Sequence, residues 1–230
     1  MIPTRLALAA LLALAVAAPA EAKDIETGKV NVTFHIEHPA KEYDAFLMPD
    51  GGYGKISLDP TAIENTTAQF IIKVDHFNSE NTRRDSHMLE VLEAFVFPTI
   101  EWNVKKVSGV SGPLTPGVHA AHAEGPLTVH GVTKTLKTPI ELTVGGQGEL
   151  TIGAQFTILL EDYGIDRPTL VFVPIENELP IIVKVDTKAD PSLLEAAKPA
   201  PAPTPAEPAP DAEAPAEEAD AEAPAEEATE

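Results

Sequence analysis

The chain has 230 residues, no cysteine, and 36 acidic against 16 basic residues, a formal net charge of −20. That sign argues against nucleic acid, which is gripped through Lys and Arg at phosphates, and against electrostatic docking on anionic lipid. With no disulfide available, the fold must rest on its own core, and the middle of the chain is long enough to build one.

Residues 1–22 read as a secretory signal peptide. Arg5 supplies the positive charge, Leu6 to Ala18 is an uninterrupted apolar run, and Ala20 and Ala22 place small residues before Lys23. The run has about 13 residues, short of the roughly 20 that a membrane anchor needs. No cysteine follows to carry a lipid anchor. The expectation is therefore export to the periplasm or the medium, with the chain soluble after cleavage.

Residues 23–190 form the expected domain, and their dominant period is two, the mark of strands with one buried face. Val30, Val32, Phe34 and Ile36 alternate with polar neighbours. Ile56 and Leu58 follow the Gly51-Gly52-Tyr53-Gly54 turn as a weaker strand. Phe70, Ile72 and Val74 come next. Asn81 to Phe95 breaks the pattern: Met88, Leu89, Leu92 and Phe95 stand at helical spacing, Asn81 or Thr82 offers a cap, and Pro98 a stop. A short helix linking two strands is expected there, lying over a barrel mouth. Ile100, Trp102 and Val104 resume the alternation, Leu127 and Val129 and then Ile140, Leu142 and Val144 make weaker strands, and Leu150 to Leu160 is the longest stripe. Leu179, Ile181, Val183 and Val185 close the domain.

About eight strands in antiparallel order with one apolar face suit either a closed barrel or a sandwich, and the period does not separate the two. The stripe from Leu150 to Leu160 spans about 35 Å at roughly 3.3 Å per residue. Strands that long, lined by Phe, Ile, Leu and Trp, suit a long hydrocarbon in a barrel lumen. A core filled by side chains is the competing reading.

Three stretches carry a resemblance. Arg84-Asp85-Ser86-His87-Met88-Leu89, followed by Phe95, Phe97-Pro98-Thr99-Ile100 and Trp102, resembles the RD-x-HL and F-x-x-x-x-(Y/F)-P-x-I-x-F patterns of the YceI-like, polyisoprenoid-binding, lipocalin-like family. Gly125-Pro-Leu-Thr-Val-His-Gly-Val-Thr-Lys134 resembles its G-x-L-T-I-x-G-V-T-K segment, and Asp162-Tyr163-Gly164-Ile165 its D-(F/Y)-G-I. The chain departs from the family at Asp24 to Lys29, at Thr135, and from Pro39 to Asp50. The resemblance implies an all-β fold, an extended eight-stranded antiparallel β-barrel with a short connecting helix. It also implies binding of a polyprenyl phosphate or a quinone in an apolar lumen, export to the periplasm, and no established catalytic activity.

Phe34, Ile36, Phe70, Ile72, Trp102, Val104, Leu127, Phe156 and Ile158 are the candidate lumen residues, taken from the inward stripes. Arg84, Asp85, His87 and Met88 are candidates for the mouth. Arg84 or His87 would donate to a phosphate or quinone oxygen. The alternative, favoured for such pairs in short linkers, is that Arg84 and Asp85 fasten the helix to the rim. His35 and His38, and His119 and His122, stand three apart, which in a strand sends them to opposite faces, and no HExxH is present, so no metal is expected. Gly164 and the glycine pairs read as turns, because no phosphate-binding glycine motif precedes a helix. No nucleophile elbow or placeable carboxylate pair anchors an enzyme reading.

Residues 191–230 form an expected disordered tail, turning abruptly to Ala, Pro and acid at Pro199. Asp211 to Ala219 is repeated identically from Asp220 to Ala228, and half of the formal charge lies beyond Pro199. A solubilising spacer is the plain reading; an acidic tail for a basic partner is the functional one. The function expected overall is an exported carrier or sequestering protein for a long isoprenoid lipid, with that lipid in place of a cofactor and transient contact with a membrane. The competing reading is an envelope or stress protein acting through a protein partner.

Overall fold

The alternating stripes are strands in the computed structural model, which describes residues 22–170 and 172–192. The expected signal peptide, apart from Ala22, and the acidic tail beyond Ser192 lie outside the described residues. In chain order the strands are β1 (Lys23–Glu26), β2 (Lys29–Ile36), β3 (Tyr43–Leu47), β4 (Gly52–Leu58), β5 (Thr67–Lys73), β6 (Phe77–Asn78), β7 (Thr99–Val104), β8 (Lys106–Ser108), β9 (Gly117–Val129), β10 (Val132–Val144), β11 (Glu149–Leu159), β12 (Thr169–Leu170), β13 (Val173–Pro174) and β14 (Glu178–Lys188). One α-helix, α1 (Thr82–Val91), lies between β6 and β7.

Twelve strands make one antiparallel sheet, ordered β1-β4-β5-β7-β9-β10-β11-β14-β2-β3-β6, with β8 beside β9. The fold is the expected all-β curled sheet, with more strands than the eight expected. The excess has local causes. β1 and β2 are halves of one stave bent at Thr27-Gly28: β1 pairs with β4 and β2 with β14, so this stave joins the two edges of the sheet. Gly28 is required there, because a Cβ would strike the carbonyl oxygen of Asp186. Beyond the bend β2 leaves β4, and β3 fills the gap by pairing with β2 on one side and β6 on the other. β3 falls in Pro39–Asp50, where the sequence departs from the family pattern.

β9 and β10 run the full height of the barrel with thirteen residues each, far longer than their weak stripes suggest. The inward side chains of β9 include Ala121 and Ala123, too small to raise a hydrophobic signal, and then Gly125, whose Cβ would collide with the backbone of Asn103. β11 and β14 pair over eleven residues, Glu149 to Leu159.

The inward stripes of β2, β4, β5, β9, β10, β11 and β14 join in one hydrophobic core. Burial of each large aliphatic or aromatic side chain there stabilises the fold by ~1.5–3 kcal/mol. One end is sealed by the segment from Asp59 to Thr66. The Asp59 carboxylate accepts from the Thr61 amide (3.0 Å) and hydroxyl (2.7 Å), the Ala62 amide (3.0 Å) and Asn65 Nδ2 (3.2 Å). Burial alone would raise its pKa, but these hydrogen bonds outweigh it and hold Asp59 below the usual carboxylate range. Leu114, with no exposed surface, packs over this plug, and its amide donates to the Pro60 carbonyl at 2.7 Å.

α1 caps the opposite end. The Asn81 side chain accepts from the amides of Arg83 and Arg84, the ordinary N-cap arrangement. The helix ends at Val91, four residues short of Phe95. Glu93 takes a positive φ of 46° and turns the chain back toward Pro98. Phe95 therefore does not share the apolar face of the helix with Met88 and Leu92, as its spacing suggests.

Candidate functional site

Between the plug and α1 the barrel holds a cavity of about 190 Å³, lined by β2, β5, β7, β9, β11, β14, α1 and the segment from Leu160 to Ile175. The lining is aliphatic and aromatic except for Tyr43, Arg84 and His87. Eight of the nine candidate lumen residues border it: Phe34, Ile36, Phe70, Ile72, Trp102, Leu127, Phe156 and Ile158. Val104 does not. β7 runs away from α1, so Val104 lies deeper than Trp102 and borders a second void of about 50 Å³ near the plug, with Ile56, Leu58, Ile63 and Leu114.

Phe70, Trp102 and Ile152 line both voids and form the wall between them. The Phe70 and Trp102 rings stack at 6.1 Å and 29°, and Phe156 lies 6.3 Å from Trp102. Trp102 Nε1 is buried without a hydrogen-bond partner.

Cavity residues not singled out from sequence include Val30, Val32, Tyr43, Phe77, Ile165 and Ile175. Val30 and Val32 stand in a stripe already visible, so its full length could have been used. Ile165 closes the Asp162-Tyr163-Gly164-Ile165 motif, which could have pointed to it, whereas Tyr43 and Ile175 lie in segments with no clear period and no local signal marks them.

The mouth residues divide by role. The Arg84 guanidinium lies 4.3 Å over the Tyr43 ring and donates from Nε to Ser79 Oγ at 3.2 Å and from a terminal nitrogen to the Ser79 carbonyl. Burial raises the Tyr43 pKa, and the Arg84 charge opposes that. Asp85 does not reach the cavity. Its carboxylate accepts from the Ser79 amide (2.9 Å) and hydroxyl (2.6 Å), a bond that fixes the start of α1 because Asp85 sits in its first turn. Met88 and His87 border the cavity; His87 also lies 3.5 Å from Glu90.

Around the same mouth the three motif segments meet. Lys134 pairs with Asp162 at 2.8 Å and lies over the Tyr163 ring. His130 Nδ1 donates to the Tyr163 carbonyl at 3.2 Å, and its ring meets Phe97 edge-on at 4.7 Å. Gly131, at φ 72°, lies against the same Phe97 ring, where a Cβ would come within 2.5 Å of Cε1. Gly164 takes φ 67° and ends the turn after Leu160. The motifs thus build the rim of the mouth. Of the histidine pairs, His35 binds Asp44 at 2.7 Å on the outer wall, while His38 is buried against the Val173 carbonyl at 3.1 Å. Among the described residues no group of three or more His, Asp or Glu is placed to hold a metal.

A curled antiparallel barrel with a walled apolar cavity and a polar-rimmed, helix-covered mouth defines the class as lipocalin-like. The profile of the YceI-like domain family matches residues 23–187, and the chain belongs to that family. No curated protein matches it in sequence. Solved structures share the fold. Burkholderia cenocepacia BcnA aligns at 14% identity with a TM-score of 0.59, covering 68% of this chain and 95% of its own. A polyisoprenoid binding domain from Saccharophagus degradans, implicated in plant cell wall breakdown, aligns at 14% identity and TM-score 0.57, covering 74% and 99%. The YCEI protein of Campylobacter jejuni aligns at 18% identity and TM-score 0.55, covering 67% and 89%.

Proposed function

We propose that this chain is an exported carrier or sequestering protein that binds a long isoprenoid lipid, of polyprenyl phosphate or quinone type, in the barrel cavity. The observation that carries the reading is the cavity itself: a hydrocarbon-lined space inside the core, with its few polar side chains grouped at one mouth. A filled core would leave no such space. Membership of the YceI-like family and the likeness to a polyisoprenoid binding domain support an isoprenoid over other apolar ligands. Arg84 supplies the head-group contact. It uses part of its five-donor fork on Ser79, and the remaining N–H groups are free to meet phosphate or quinone oxygens. The nine candidate lumen residues keep that role except Val104, whose place is beyond the aromatic wall.

The test is native mass spectrometry and solvent extraction of the protein purified from its own host, followed by uptake of a fluorescent polyprenyl probe. A co-purifying isoprenoid and saturable uptake are expected. A lipid-free protein that takes up no probe would end the proposal. Ile72→Gln places an amide on the cavity wall and is expected to lower uptake and stability together. Unchanged uptake by a well-folded variant would remove Ile72 from the site.

A further inference from the structure

Among the described residues, the large apolar side chains most open to solvent are Phe95 and Phe172, with relative exposures of 102% and 97%. Rings in that state make no packing contact, so they add nothing to the fold. Val96 and Val173, their neighbours in sequence, are exposed as well. The two pairs belong to distant segments, yet one rim joins them. Phe97, just after the first pair, packs on His130, and His130 bonds to the Tyr163 carbonyl. From there the chain reaches Arg167, whose guanidinium donates to the Ile175 carbonyl at 2.9 Å, beside the second pair. This is the end of the barrel where α1 covers the cavity, and Ile165 and Ile175 border that cavity.

We propose that this rim docks on the neutral surface of a phospholipid bilayer, with Phe95-Val96 and Phe172-Val173 inserted at head-group depth. Lipid then passes between bilayer and cavity without crossing water. The inference rests on the reading of the cavity as a lipid site. A bilayer fits better than a protein partner for three reasons. The rings stand on separate turns, where Glu93 and Phe172 adopt φ of 46° and 68°, and form two prongs rather than one continuous patch. They flank the opening through which a long hydrocarbon must pass, and every methylene exposed to water on the way opposes that passage. The attraction is apolar rather than ionic: Lys134 and Arg167 on the same rim already engage Asp162 and Glu161, each at 2.8 Å, and the chain carries a net charge of −20. Aromatic and aliphatic tips whose basic neighbours Lys134 and Arg167 are paired with carboxylates suit uncharged head groups.

The experiment uses the full chain as its host processes it, with the intact mass recorded. Flotation with phosphatidylcholine–phosphatidylethanolamine vesicles measures docking, and transfer of a fluorescent polyprenyl probe between such vesicles measures delivery. Uptake of the same probe from a cyclodextrin complex measures the cavity without any bilayer. The wild type is expected to float equally at about 0.05 and 0.5 M salt, a range over which ionic attraction would fade. Phe95→Ser and Phe172→Ser are each expected to lower the partition roughly tenfold. The double variant should keep its thermal melt and its cyclodextrin uptake while vesicle transfer slows tenfold or more. Three results would overturn the proposal: a wild type that does not float, flotation that needs added phosphatidylglycerol and disappears in salt, or a double variant that transfers at the wild-type rate. A double variant that floats normally but loses a protein captured by the wild type would also overturn it, in favour of a protein surface. Failure of the wild type to take up probe from cyclodextrin sinks the cavity reading instead, and flotation still judges the docking.

Discussion

Asp59 shows how one polar side chain can hold an end of a barrel. Its two oxygens satisfy four donors of a turn that would otherwise present bare amides to the core. Asp59→Ala leaves those donors unpaired and is expected to cost ~1–3 kcal/mol of stability near neutral pH. The sign of the pH effect follows from its lowered pKa. The stabilisation is complete above the ordinary carboxylate range and is lost as pH falls through the lower value of the folded state. Denaturant unfolding at neutral pH and again at about pH 3 checks this, because the gap between wild type and variant must narrow in acid. Gly131 is a second such position. Its positive φ and its contact with the Phe97 ring both exclude a side chain, so Gly131→Ala is expected to destabilise the rim by ~1–3 kcal/mol. A thermal melt equal to that of the wild type would show that the turn relaxes without cost.

On the proposed lipid reading, two elements set how much ligand the cavity would take. A void of about 150 Å³ accepts a single benzene ring, so the 190 Å³ cavity as it stands suits a short hydrocarbon. A long isoprenoid needs more space, and the aromatic wall and α1 are where it can be found. Trp102 is the only tryptophan in the chain, so displacement of the wall has a direct optical readout. Binding of a long-chain probe, which must displace the wall, is expected to shift Trp102 emission further than a short one that only touches its α1-side face. Trp102→Ala merges the two voids and should raise the preference for longer chains while costing ~3–5 kcal/mol of stability. Equal chain-length preference in the variant would mean that the wall sets no limit. α1 is expected to yield before the long strands, since no residue of it is fully buried and it rests on the barrel through half-buried Met88 and Val91, Leu92 just past its end, and Arg84 over the Tyr43 ring.

At the scale of the molecule, the barrel and the acidic tail are expected to act independently. Removal of residues 199–230 should leave probe uptake unchanged and abolish only the capture of a basic partner, if the tail has one. Uptake that falls on deletion, measured on equal amounts of folded protein, would tie the tail to the lipid site. The barrel itself was largely legible. Strands whose inward side chains are Val, Ile, Leu or Phe, such as β2, β5 and β11, announce themselves by period. β9 does not, because alanines and a glycine fill its inward positions where neighbouring strands come close. β3 stayed hidden for another reason: a five-residue strand bridging a gap has too few inward positions to make a stripe.

The same division runs through the site. The sequence by itself determined the fold class, the family, eight of the nine lumen candidates and three of the four mouth candidates that border the cavity, because period-two burial and the motif segments are local properties carried by near neighbours in the chain. Only the tertiary structure decided that Val104 lies behind an aromatic wall, that Asp85 serves α1 rather than the cavity, and that Tyr43 and Ile175 line it. It also brought Phe95 and Phe172 onto one rim. These facts depend on depth along the barrel and on contacts between segments far apart in sequence, and a linear pattern carries neither.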